Sequence, residues 1–192
     1  VGQTALVEID PKSGYRQRLL GNGQVQGYSP TRDGVVITWA SLGSPPDLYL
    51  VTKSSTAANS RAVLPSAPKP LTAVNQTLLA ERQFGEFEQF SFKGWNDETV
   101  YGYVMKPAGF ERGKKYPIAF IVHGGPQVSF SNQWSWRWNP QVYAGAGYAV
   151  VFIDFHGSPG YGQAFTDSIS QDWGGKPLVD LQKGLDAALG RY

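Results

Sequence analysis

Two hydrophobic patterns divide the chain. Up to about Leu50, short β-type runs are separated by turn residues. Leu6-Val7-Glu8-Ile9-Asp10 leads into Pro11-Lys12-Ser13-Gly14, Thr31-Arg32-Asp33-Gly34 precedes Val35-Val36-Ile37-Thr38-Trp39, and Pro45-Pro46-Asp47 precedes Leu48-Tyr49-Leu50-Val51. Short strands at even spacing, broken by Pro, Gly and Asp, predict antiparallel blades or a sandwich. No titratable residues cluster in this stretch, which reads as scaffold. Lys53 to Pro70, rich in Ser, Ala and Pro, predicts a loop, and Leu71 to Glu81 a short helix or an irregular connector. Next comes a hairpin: Phe87 to Phe92 alternates, Gly94-Trp95-Asn96-Asp97 turns, and Thr99 to Val104 returns. A domain boundary is expected near residue 84.

After Pro107 alternation gives way to continuous apolar runs, Ile118 to Val122 and Ala149 to Ile153. Runs without polar positions predict parallel strands covered on both faces. Between them Asn139 can cap a helix that starts at Pro140, and Gly145 or Gly147 can end it. This makes a strand–helix–strand unit with a right-handed crossover. Further on, Leu178, Leu181, Leu185, Ala188 and Leu189 recur at helical spacing behind Pro177, with Gly190 at the exit.

Composition narrows the chemistry. The 192 residues are 41% hydrophobic and 17% charged, ordinary for a globular protein of one large domain or parts of two. A formal net charge of +2, with no basic run, gives no footprint for nucleic acid. Cys is absent, which excludes disulfides, thiol catalysis and Cys-ligated zinc, and leaves the redox compartment open. No charged leader with an apolar stretch and no membrane span is visible in these residues. With two His in all, neither a metal site nor a cofactor is expected.

The candidate chemistry lies where the first apolar run ends, in His123-Gly124-Gly125-Pro126. A Gly pair at the end of a buried strand lets backbone N–H groups approach a substrate oxygen without side-chain interference. Acyl transfer needs such donors, because the tetrahedral intermediate carries a negative oxygen; one donor is worth about 3 to 4 kcal/mol of barrier. Gly125 is the expected donor, with His123, Gly124 and Pro126 shaping the turn; the alternative is a tight turn without a ligand. The second run ends in Asp154-Phe155-His156-Gly157-Ser158-Pro159-Gly160-Tyr161-Gly162.

Ser158 sits near a Gly-x-Ser-x-Gly pattern, but His156 replaces the first Gly, and Pro159 has no N–H to offer an oxyanion. It reads as part of a bend lining the site. His123 and His156 precede any nucleophile, whereas the α/β-hydrolase order is Ser, acid, His; His123 reads as structural. Trp134, Trp136 and Trp138 either form an aromatic wall for substrate or pack at a domain interface. Asp172 to Gly175 reads as a turn, and Asp154 lacks a paired base.

Taken together, Pro117 to Pro126, Asp154 to Gly162, Gln163-Ala164-Phe165, Asp172 to Gly175 and the Leu178–Leu189 helix resemble the prolyl oligopeptidase family of serine peptidases, in its acylaminoacyl-peptidase and dipeptidyl-peptidase 5 branch. The resemblance covers roughly residues 85 to 192, and the preceding region weakly. It implies an α/β-hydrolase fold, of which residues 85–192 are the N-terminal half, preceded in residues 1–84 by strands of the end of a β-propeller. It also implies that Gly125 supplies one oxyanion N–H and the residue after the serine supplies the other. Some relatives carry a Tyr hydroxyl where this chain has His123, and Arg is usual where it has His156.

No Gly-x-Ser-x-Gly elbow occurs in residues 1–192, and in the family Ser, Asp and His follow later in the chain. The expectation is therefore a fragment of a serine exopeptidase that releases dipeptides or acylated residues from peptide N-termini. It contributes one oxyanion donor and no triad residue. Its expected partners are a short peptide substrate and the rest of the hydrolase domain. Alone it is expected to be inactive and poorly soluble, since the 118–122 strand would lack its neighbour. An esterase or lipase of the same fold, or a non-catalytic binding module, are the alternatives. The resemblance favours a periplasmic or secreted location.

Overall fold

The computed structural model describes residues 2–52 and 67–191. It contains two compact units, one formed by Gln3–Glu81 with Asn132–Trp134, the other by Val1–Gly2, Arg82–Ser131 and Ser135–Tyr192.

In the first unit β1 (Leu6–Ile9) and β2 (Arg16–Leu20) form an antiparallel pair. A separate antiparallel sheet runs in the order β3 (Gln24–Pro30), β4 (Gly34–Ser41), β5 (Ser44–Thr52), β6 (Lys69–Pro70). Side chains alternate across a strand, and the odd positions Val35, Ile37 and Trp39 of β4 join Tyr49 and Val51 of β5 in one cluster with Leu6 and Val25. Two expectations change. Pro45-Pro46-Asp47 is no turn: Ser41 pairs with Ser44, so the chain reverses at Leu42-Gly43 and the prolines occupy the start of β5, where a missing N–H is tolerated. Of the Lys53–Pro70 loop, residues 53–66 lie outside the described residues, and Lys69–Pro70 pairs with Tyr49 and Leu50. The connector contains one short helix, α1 (Gln76–Ala80), which buries none of its residues.

In the second unit β7 (Phe87–Lys93), a 3-10 turn at Trp95–Asp97 and β8 (Thr99–Met105) form the hairpin. The sheet continues with β10 (Ala149–Asp154) antiparallel to β8, and β9 (Ile118–Ile121) parallel to β10, in the order β7-β8-β10-β9. Between them α2 (Pro140–Gly145) starts at Asn139, whose side chain accepts from the Gln141 N–H. β10 is buried on both faces. Val151 and Ile153 pack with Phe90, Val104 and Ala188, while Phe152 on the opposite side stacks against Tyr103 at 5.6 Å. β9, the last strand in the order, is half-buried throughout.

After β10 come α3 (Gln163–Asp167) and α4 (Gly175–Arg191). The expected stripe on α4 needs correction. Its buried positions are Pro177, Asp180, Gly184 and Ala188, with Leu181 and Ala187 beside them, whereas Leu178 and Leu189 are exposed. At about 100° per residue, Leu178 and Leu189 fall to the side of the face centred on Pro177, Gly184 and Ala188. Gly184 lets the helix rest directly on the sheet: a Cβ there would sit 2.8 Å from Phe92 Cζ and 2.9 Å from Ile153 Cδ1. The helix also runs through Gly190 instead of ending there.

Candidate active site

Because β9 and β10 are parallel neighbours, the segments leaving them, His123–Ser131 and Phe155–Gly162, emerge at one edge of the sheet. The carboxyl ends of parallel strands are where open α/β sheets bind ligands. Two buried anchors shape that edge.

The first is Asp154, the last residue of β10, only 3% exposed. It accepts hydrogen bonds from Phe130 N–H (3.0 Å), Ser129 Oγ (2.6 Å) and the Tyr161 hydroxyl (2.6 Å). Burial, followed by the Asp154 charge, pushes the Tyr161 phenol far above its ordinary range, so it stays protonated and donates. Asp154 is thus an organiser of two loops, with its oxygens already occupied.

The second anchor is His123. Its ring stacks on Phe155 at 4.1 Å and meets Phe130 edge-on at 5.4 Å. Nδ1 lies 2.9 Å from the Gly124 carbonyl and Nε2 lies 3.1 Å from Ser158 Oγ. A carbonyl can only accept, so Nδ1 carries the proton and Nε2 accepts from the Ser158 hydroxyl. Ser158 is fully buried, which removes it from contention as a nucleophile.

Burial pushes His123 below the ordinary value of 6.5, outweighing the opposing pull of the Gly124 carbonyl and the Asp154 charge. The unfolded chain then takes up a proton that the folded one refuses, and stability falls as pH drops through and below 6.5. Urea unfolding midpoints measured from pH 8 to pH 5 should decline below that point in the native protein and decline less in His123→Asn; parallel curves would remove His123 as the cause.

Between the anchors Gly124 and Gly125 are exposed. Gly125 has φ +132°, and a Cβ there would approach Val128 Cγ2 to 2.8 Å. Only glycine meets both conditions. Pro126 turns the chain back, its carbonyl accepting the Val128 N–H at 2.9 Å. Among the described residues the Gly125 N–H donates no hydrogen bond.

The bend after β10 is held by a residue that the sequence analysis missed. Asp180 of α4, fully buried, accepts from the Trp95 N–H (2.7 Å), the His156 N–H (2.7 Å) and His156 Nδ1 (2.5 Å). The His156 ring is sandwiched against Phe165 at 4.1 Å and reaches Glu98 Oε2 at 3.4 Å. A charged residue on the apolar face of α4, three positions after Pro177 and four before Gly184, was the available signal. Of the three tryptophans, Trp134 groups with the first unit and is half-buried; Trp136 and Trp138 belong to the second and are exposed, with the Arg137 guanidinium 5.3 Å from the Trp138 ring.

Comparison with known proteins follows the same line. The model of the prolyl oligopeptidase family matches residues 134–192. The dipeptidyl-peptidase 5 of Schizosaccharomyces pombe is 44% identical over 117 residues, which is 59% of this chain and 17% of that protein. The dipeptidyl-peptidase 5 of Trichophyton equinum is 51% identical over 84 residues, 44% of this chain and 12% of that protein. The chain thus spans less than a fifth of these relatives. Among solved structures, the Pyrococcus horikoshii acylaminoacyl peptidase aligns with a TM-score of 0.79 at 22% identity, covering 98% of this chain and 28% of that one. An acylaminoacyl peptidase in complex with Z-Gly-Gly-Phe-chloromethyl ketone gives 0.80 at 22% identity, with the same coverage. At such identity the likeness is one of fold.

Proposed function

We propose, from the match of the prolyl oligopeptidase family model to residues 134–192 and the similarity to dipeptidyl-peptidase 5 proteins, that this chain is a member of that family and forms part of a serine exopeptidase acting on short peptides. In this reading residues 85–192 are the first half of the α/β-hydrolase domain, and residues 1–84 are closing strands of a β-propeller that admits only short chains. The substrate is a peptide whose N-terminal dipeptide or acylated residue is released.

The reaction assigned to the complete protein is acyl transfer. A serine outside residues 1–192 attacks the scissile carbonyl, giving up its proton to a base, and the carbonyl oxygen becomes negative. The Gly125 N–H meets that oxygen, together with a second donor beside the serine. Expulsion of the amine leaves an acyl-enzyme, which water hydrolyses. The observation that carries the reading is the Gly125 amide: exposed, without an internal partner, on a glycine-only turn at the carboxyl end of β9. Fixed backbone donors are worth most where charge develops.

The test uses the complete protein. Labelling by a fluorophosphonate, with faster turnover of dipeptidyl or acyl-aminoacyl amides than of simple esters of the same acyl group, is the expected result. Labelling with preference for simple esters supports an esterase instead. Absence of labelling in folded protein supports a binding module and ends the proposal.

A further inference from the structure

The geometry points to His123 as the residue that sets the direction of the Gly125 N–H, with Ser158 anchoring the far edge of the imidazole that does so. This inference rests on the reading of Gly125 as an oxyanion donor and adds how that donor is aimed. The Gly124 carbonyl and the Gly125 N–H belong to one peptide unit. In a trans peptide they point in opposite directions, and this unit is trans. His123 Nδ1–H holds the carbonyl at 2.9 Å, on the side of the buried ring. The N–H is thereby turned away from the imidazole, toward the exposed side of the turn.

Without that bond little opposes a flip of the peptide. Both residues flanking it are glycines, and a Cβ at Gly124 would find nothing within 4 Å. A flipped unit would present a carbonyl lone pair where the oxyanion needs a donor, so loss of aim equals loss of the donor. The ring itself cannot turn easily, clamped between Phe155 and Phe130 and buried. The Gly124 carbonyl, which can only accept, puts the proton on Nδ1, and the far edge of the ring is anchored from 35 residues away: Ser158, sunk in the bend after β10, donates its hydroxyl to Nε2. Ser158 and His123 are positioning residues here, neither touching substrate.

Paired amide substitutions separate aim from packing. Asn places its side-chain N–H near the position of Nδ1 and can still bond the Gly124 carbonyl; Gln reaches toward Ser158 and cannot. In the complete protein, His123→Gln should lower kcat on the order of 10²-fold, the scale of losing one oxyanion donor, with KM little changed. His123→Asn should recover most of that loss.

Affinity for a peptide trifluoromethyl ketone, which forms an oxyanion when bound, should fall with kcat across these variants. Affinity for a non-reacting peptide amide should not. If neither His123 variant folds, Ser158→Ala carries the test, with a smaller loss in kcat and in ketone affinity at unchanged amide affinity. Equal losses in His123→Asn and His123→Gln, or unchanged ketone affinity in His123→Gln or Ser158→Ala, would overturn the inference. Gly125→Ala distinguishes the two levels. If it loses ketone affinity while His123→Gln does not, only the aiming role fails; if it too is unchanged, the donor reading fails.

Discussion

Replacing Asp180 with alanine should lower the unfolding free energy of the second unit by about 3 to 5 kcal/mol, since removing one partner from a buried polar set costs about 1 to 3 kcal/mol per orphaned group and more where charge is involved. Three donors lose their acceptor at once: the Trp95 N–H, the His156 N–H and His156 Nδ1. Water has no access to replace it, because Asp180 and His156 are both fully buried. Asp180→Asn keeps one acceptor and should lose less. Urea unfolding followed by far-UV circular dichroism, with tryptophan emission summed over the six tryptophans as a second probe, measures the change. A loss below about 1 kcal/mol, the net value of one ordinary hydrogen bond, would mean that the bend after β10 is held by ring stacking alone. The same bend holds Ser158, so the packing of α4 reaches the candidate site through it.

Gly125→Ala should reduce kcat of the complete protein by about 10²-fold or more while leaving KM within a few-fold, the pattern of an interaction made only in the transition state. The cause is conformational. At φ +132° an L side chain is strained, and the added Cβ would press on Val128 Cγ2 at 2.8 Å, so the turn must rearrange and carry the N–H with it. Gly124→Ala should cost far less, because its backbone is outside that region and its Cβ would meet open space. Steady-state kinetics on a dipeptidyl amide, with thermal unfolding to confirm the fold, decides it. A Gly125→Ala enzyme retaining full kcat would place the oxyanion elsewhere.

Where local pattern governs, residues and structure agree. The apolar runs that become β9 and β10, the alternation of the β7–β8 hairpin, and the Asn139-Pro140 start of α2 are all written in neighbouring residues. β2 and β3 escaped because their sequences, Arg16–Leu20 and Gln24–Pro30, are largely polar: Leu19, Leu20 and Val25 reach the core without a hydrophobic alternation around them, and the strands pair through backbone bonds. Leu178 and Leu189 misled for a related reason. Hydrophobicity marks what can be buried, and the close approach at Gly184 decides which side of α4 is.

By its own chemistry the chain determined that a glycine pair follows an apolar strand, that Ser158-Pro159 cannot act as an elbow, and that residues 1–192 supply no thiol. Folding alone decided which side chains answer one another: Ser158 with His123, Asp154 with Ser129 and Tyr161, Asp180 with His156. The reason is physical. A glycine's freedom or a proline's missing N–H belongs to the residue itself, whereas a buried hydrogen bond exists only once two distant segments have been brought together and deprived of water.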